Sequence, residues 1–333
     1  MKKKGTDPTV VEVAGRAGVS IATVSRVLND PARVRPSTAS NVMRAMDELG
    51  YPYNRAALPP RSEVVIVVLP SMDNPFYAKI IKGMQSSAKS HGLEIMVYPE
   101  SNVDAHAAKL THLMHAVNAC GLILLSPVAD AELLAQLDAV APLVQCAEYN
   151  EHSPLPYVSV DDFAAAKNAM ETLIRRGRKR IALINGPEKY KYSRQRYLGY
   201  ADALKQAGLP VDPALTAHVT EMGFDSSLAV ARQMLLHNNR PDAILATSDM
   251  FAAAVVKAAS YEGISIPREL SLIGFDNTFI SHLSHPSVTA VNMPQFQLGY
   301  MACEVLAERI KDPASTEQKQ YLLKTELVLR DSV

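Results

Sequence analysis

Ser20, Thr23, Ser25, Arg26 and Asn29 lie within one ten-residue run and offer hydroxyls, an amide and a guanidinium. Hydroxyls and amides at that density suit phosphate oxygens, which set register on a duplex. A lone Arg can fork onto the O6 and N7 edge of a guanine. Ile21 and Ala22 carry no polar side-chain group and can read little beyond thymine methyls and groove shape. Thr9, just upstream, adds one more hydroxyl.

These groups need a rigid carrier, and the flanking pattern supplies one. Val10, Val13, Ala14 and Ala17 recur at i, i+3, i+4 and i+7, one apolar helical face, and Thr9 with Glu12 fits a capping box at its start. Gly18 permits a sharp reversal. Ser20 then caps a second short helix that turns Val24, Val27 and Leu28 inward and leaves the polar set outside. A third helix is predicted from Pro36 to Leu49, stopped by Gly50. Pro59-Pro60 breaks any helix that follows, so the chain divides into residues 1–58, a linker at 59–63 and a body at 64–333.

From Glu63 onward, apolar runs (64–69, 93–98, 121–125, 142–146, 157–160, 181–185, 243–247 and 270–275) alternate with amphipathic helical stretches. Apolar strands alternating with helices imply parallel sheets covered on both faces, and this many runs predict an α/β body of two Rossmann-like lobes. In such sheets ligands bind beyond the carboxyl ends of the strands. Those positions hold Ser71, Asp73, Asn74, Phe76 and Tyr77, then Ser126, Glu148 with Tyr149, Asp161, Ser248 with Asp249, and Asp276. Carboxylates, hydroxyls and aromatic faces together suit a neutral, hydroxyl-rich small molecule. Two of these residues have structural alternatives: Asp249 as a cap of the following helix, Phe76 as core.

Formal charge is zero overall, yet residues 1–61 carry ten Lys/Arg against five Asp/Glu and the remainder carries the opposite excess. A basic head on an acidic body confines nucleic-acid binding to the head. Cys120, Cys146 and Cys303 are odd in number and far apart, which suggests neither a disulfide framework nor a metal site and fits a reducing interior. The MKKKGTDPT start has no apolar run behind it, and no stretch reaches the ~18 apolar residues of a membrane span, so a cytoplasmic protein is expected. No phosphate-loop, nucleotide-fingerprint, zinc-protease or serine-elbow pattern is present, so no enzyme, catalytic residue or cofactor is predicted. His106, His112 and His115 read as a solvated helix face rather than a metal site.

RAGVSIATVSRVLN, with ELGYPYNRAA at 48–57, closely resembles the headpiece of the lactose/galactose repressor (LacI/GalR) family, and body motifs extend the resemblance over nearly the whole chain. DNPFY (73–77), SRQRYLGYADAL (193–204) and the stretch 246–277 are similar to family body motifs. The resemblance implies a helix-turn-helix headpiece on a periplasmic-binding-protein-like body whose lobes exchange strands at three crossovers. It implies a homodimer on a near-palindromic double-stranded operator and a small-molecule effector, here a sugar, a sugar derivative or a nucleoside. The nucleoside reading comes from PSMDNPFYAKIIKGM and INGPE, which resemble nucleoside-responsive members. By the same resemblance Arg196 reaches ligand oxygens and clamps vicinal hydroxyls with Asp276. A last strand is implied in ELVLRDSV with no tetramerising tail.

Departures from the family are informative. Met222 stands near where many members stack an aromatic ring on the ligand, Ser248 where an Asn is common, Cys120 where Asp-Gly is usual, and Arg178 where a turn carries His. In the linker the family's Asn, Ala and Leu at three-residue spacing become Asn54, Ala57 and Pro60. Proline costs ~3 kcal/mol in a helix interior, so the expected DNA-kinking hinge helix gives way to an extended tether, with Leu58 as the alternative wedge.

Overall fold

A computed structural model describes residues 8–29, 34–51, 62–220, 222–237, 239–312 and 319–333. The chain forms two compact units, residues 1–64 with 108–120 and the remainder.

In the first unit, helices α1 (Val10–Ala17), α2 (Ile21–Asn29) and α3 (Pro36–Leu49) enclose a small apolar core. Val13 and Ala14 of α1, Val24 and Val27 of α2, and Val42, Ala45 and Met46 of α3 build it. Gly18 takes the left-handed conformation at φ 66°, and Gly50 does so at φ 67°, so each reversal falls on a residue without a Cβ penalty. Arg16 Nε meets Glu48 Oε2 at 2.7 Å, tying α1 to α3 at the exposed rim.

The second unit holds two six-stranded sheets. The first lobe's sheet contains β1 (Val64–Leu69), β2 (Glu94–Pro99), β3 (Gly121–Leu124), β4 (Leu143–Cys146) and β5 (Tyr157–Val160), with α4 (Phe76–Ser90) and α6 (Ala131–Val140) between its strands in sequence. Helix α5 (Val103–Ala116) begins in this unit, and its residues from 108 on belong to the first unit. The second lobe runs α7 (Asp162–Arg175), β6 (Ile181–Asn185), α8 (Lys191–Gln206), β7 (Thr216–His218), α9 (Phe224–Leu236), β8 (Ala243–Ala246), α10 (Asp249–Tyr261), β9 (Ser271–Asp276), α11 (Phe279–Leu283) and β10 (Thr289–Asn292). The chain then returns through α12 (Gln295–Lys311) to β11 (Gln320–Leu323) in the first sheet and β12 (Glu326–Val328) in the second. The order β11-β5-β4-β3-β1-β2 beside β12-β10-β9-β8-β6-β7 contains the three exchanges that the resemblance implied.

β12 runs antiparallel to β10, a departure from the parallel pattern expected of both sheets. It follows β11 after only Lys324 and Thr325, which carry the chain from the first sheet to the edge of the second. β7, β10 and β11 were not legible as apolar runs because they are three or four residues long and interrupted by Thr, His, Asn or Gln. One close helix approach, marked by two glycines, sets a wall of the first lobe. A Cβ on Gly83 would lie 2.1 Å from the Phe296 carbonyl oxygen and one on Gly299 1.9 Å from that of Ile80, so α4 and α12 touch along backbone. Arg178 anchors the approach to β9 by donating to Ser271 Oγ at 3.0 Å and to the Pro267 and Arg268 carbonyls, a structural role.

Candidate functional sites

On the first unit, the α1 capping box forms as its residues suggest. The Thr9 amide donates to Glu12 Oε2 at 2.7 Å and the Glu12 amide to Thr9 Oγ1 at 3.4 Å. Thr9's hydroxyl is thereby engaged within its own helix. Ser20 Oγ accepts from the Thr23 amide at 3.2 Å and sits 2.9 Å from Thr23 Oγ1. Ile21 is 51% exposed, Ala22, Ser25 and Arg26 are exposed, and Thr23 is half-buried. The result is a short rod with its apolar side inward and Arg26 exposed to solvent, a shape and size compatible with a major groove. The expectations for the Asn29 side chain, Asn54 and Leu58 lie outside the described residues.

On the second unit, Ser71, Asn74, Phe76, Tyr77, Glu148, Arg196, Met222, Ser248 and Asp276 all line one cavity of about 320 Å³ between the lobes. Topology explains the convergence. Ser71, Asn74, Phe76 and Tyr77 follow β1, Glu148 follows β4, Ser248 follows β8 and Asp276 ends β9, while Arg196 comes from α8 and Met222 from the stretch after β7. Parallel strands in both sheets aim their carboxyl ends at one cleft. Asn74 Oδ1 accepts from the Phe76 amide at 3.0 Å and starts α4, which presents Phe76 and Tyr77 edge to face at 5.3 Å.

Arg196 is the most constrained of these groups. Its Nε and Nη2 both lie 2.8 Å from Asp162 Oδ1, and Nη1 donates to the Thr247 carbonyl at 2.6 Å. Its guanidinium sits 4.0 Å from the Phe275 ring centroid and 4.7 Å from that of Tyr192. Asp162 also takes Lys191 Nζ at 2.7 Å, and these three side chains are no more than 5% exposed. Burial pushes the Asp162 carboxyl up, but Arg196 and Lys191 overcome it and hold it below the ordinary carboxylate range. Arg196 and Asp276 both line the cavity, where the expected clamp on a ligand would place them. Most of the guanidinium serves Asp162 and Thr247, because a buried carboxylate 34 residues away claims it first.

The acids facing the cavity behave differently. Glu148 accepts the Lys191 amide at 2.7 Å and the Tyr192 amide at 3.1 Å, the free donors at the start of α8. Burial raises its carboxyl to about 7 against the opposing pull of Lys191. Asp276, held at φ 88°, receives Ser248 Oγ at 3.2 Å; burial outweighs Arg196 and its carboxyl is raised. Asp249 does not cap its own helix, since Ser248 does. Its Oδ2 instead accepts the Thr278 and Ser281 hydroxyls at 2.9 and 3.0 Å, and its carboxyl is pushed up by burial and by Asp276.

Some functional candidates escaped the sequence reading. Asp161 was singled out, but its side chain caps α7 by accepting from the Ala164 amide, and the next residue, Asp162, reaches the cavity. Tyr190, Tyr192 and Lys189 also line it. Tyr192 donates to Met222 Sδ at 3.0 Å, so a ring does stand beside Met222, supplied by another segment. The alternation KYKY at 189–192, directly before the Arg196 motif, was the available signal. His106 lies 2.8 Å from Glu100 at a kink in α5.

Comparison with known proteins agrees with this geometry. Residues 9–54 match the family described as bacterial regulatory proteins, lacI family, and residues 170–333 match a periplasmic binding protein-like domain. The HTH-type transcriptional repressor CytR of Escherichia coli (strain K12) is 30% identical over 336 residues, covering 99% of this chain and 98% of that protein. The HTH-type transcriptional regulator CelR of Thermobifida fusca is 31% identical over 336 residues, covering 98% of each. Among solved structures, a transcriptional regulator CelR–cellobiose complex aligns with TM-score 0.75 at 30% identity, covering 98% of this chain and all of that one. The lac repressor dimer bound to operator aligns with TM-score 0.73 at 25% identity, covering 98% and 99%. Among the described residues no helix is long and apolar enough to cross a membrane. A helix-turn-helix at the amino end, a strand-exchanged two-lobed body and relatives matched along nearly their full length make this chain a member of the LacI family of bacterial transcription regulators.

Proposed function

We propose that this chain is a cytoplasmic, non-enzymatic repressor whose homodimer binds a near-palindromic operator and responds to a neutral, hydroxyl-rich sugar or sugar derivative. Residues 1–58 are the DNA-binding headpiece, 59–63 the tether and 64–333 the effector and dimerisation body. Ser20, Thr23, Ser25 and Asn29 meet phosphates, Arg26 reads a guanine, and Ile21 and Ala22 contact thymine methyls.

The observation that carries the effector reading is the interlobe cavity where Glu148 and Asp276 stand among Phe76, Tyr77, Tyr190 and Tyr192. Carboxylates accept from hydroxyls while rings cover an apolar face. The CelR–cellobiose likeness supports a sugar. A nucleoside is the second reading, favoured by the four rings and the likeness to CytR. A thermal-shift screen of sugars and nucleosides separates the two, since a ligand at 100 times its Kd adds about 2.7 kcal/mol. With the hit in hand, Asp276→Asn is expected to lose about 1–3 kcal/mol of ligand affinity and to keep operator affinity in ligand-free buffer. Undiminished calorimetric affinity removes Asp276 from the site.

A further inference from the structure

Away from the crossover strands, most of the hydrogen bonds described between the two lobes come from one short segment, Lys189–Gln195, which opens α8; Gln295 at the start of α12 adds one, its Nε2 donating to the Asp276 carbonyl at 2.7 Å. Lys189 Nζ donates to the Ser101 carbonyl beyond β2 at 3.2 Å. The Lys191 and Tyr192 amides donate to Glu148, beyond β4. Lys191 Nζ donates to Ser159 Oγ on β5 at 3.2 Å. Arg194 Nη2 and Gln195 Nε2 reach the two oxygens of Glu151 at 3.4 and 2.8 Å. The same segment carries Tyr190 and Tyr192, two walls of the cavity.

We propose that Lys189–Gln195 is a clasp that holds the lobes closed, and that Glu151, which does not line the cavity, is a positioning residue setting the closing equilibrium. Glu151 lies on the first lobe and grips two successive residues of the second from outside, so it acts on the ligand only through the segment it holds. Closure and occupancy then draw on the same element. An effector finds its walls already placed, and its apparent affinity scales with the closed fraction. The inference concerns the lobes and stands whichever small molecule fills the cavity.

Double electron–electron resonance on the full-length, ligand-free chain tests it, with nitroxides at K89C on α4 and Q233C on α9, both exposed positions on opposite lobes. Labelled chain is diluted with unlabelled chain so that only distances within one protomer are read. The parent is expected to give one narrow distance. Glu151→Arg is expected to add a population longer by more than about 2 Å, and pairing it with Arg194→Glu is expected to restore the narrow distance. A broad distribution in the parent, or a Glu151→Arg distribution identical to it, overturns the clasp. Failure of the reversed pair to restore closure overturns the role of Glu151 as the residue that holds Arg194.

Discussion

Arg26 projects into water from α2, whereas Arg196 lies buried between two rings with its donors turned to Asp162 and the Thr247 carbonyl. The two arginines divide the labour of the molecule. The exposed one keeps its planar fork available for a charged polymer that arrives from solvent. The buried one has spent most of its fork in advance and orders the wall a small ligand will meet. Desolvation makes that order costly, because each buried charge must have its counter-charge within contact. The same division holds for the acids. Glu12 on α1 sits in solvent and is held low by its capping contacts with Thr9, while Glu148, buried at the start of α8, is pushed up to about 7.

The largest expected effect breaks the buried side of this comparison. Arg196→Ala leaves Asp162 with Lys191 alone in the interior and should cost about 3–5 kcal/mol in urea unfolding. A loss below ~1 kcal/mol would mean that the guanidinium is dispensable to the fold and free for a ligand. Next in size is a pH effect. Glu148's carboxyl is raised by folding, so its contribution is present at acidic pH and is lost as pH rises through about 7. Asp249 and Asp276 shift the same way, and Asp162 shifts oppositely, losing its contribution only at strongly acidic pH. Stability should therefore rise on acidification from pH 8 toward pH ~5, with Glu148 alone worth about 3 kcal/mol. Unfolding midpoints across that range should flatten in Glu148→Gln; an equal slope in both proteins assigns the effect elsewhere.

On the exposed side, Arg26→Ala should weaken specific operator binding by about 1–3 kcal/mol and relax the preference at one symmetric base pair per half-site. Thr23→Ala should weaken all sequences alike, since phosphates do not differ. An unchanged selected operator after Arg26→Ala removes the base contact. The smallest effect is expected at the tether. Leu58→Ala should cost well under ~2 kcal/mol, and operator spacers altered by one or two base pairs should remain bound. A sharp optimum at one spacing with a larger Leu58→Ala loss would restore the wedge.

The headpiece was legible almost residue by residue. Thr9 with Glu12, Gly18, Ser20 and Gly50 mark turns and helix ends through contacts no more than a few residues apart, and α3 spans Pro36–Leu49 as expected. Eight of the body's strands were legible from apolar runs, and with them the convergence of seven cavity residues, because strand ends follow from strand positions; Arg196 and Met222 came from the family resemblance. The choice between Asp161 and Asp162 was not legible. Neighbours at a helix start look alike in sequence, and only packing decides which one caps and which one enters the cavity.

What the sequence by itself determined are the features with local causes: helix caps, turn glycines, the inward face of α2 and the alternation of apolar strands with helices. Tertiary structure alone decided which charges meet. Arg196 takes Asp162 rather than Asp276, Glu148 takes the first amides of α8, and Tyr192 supplies the ring beside Met222. Burial is the reason. Once these groups leave water, each must satisfy its hydrogen bonds with whatever the packed lobes bring within reach, and that set is assembled from residues tens of positions apart.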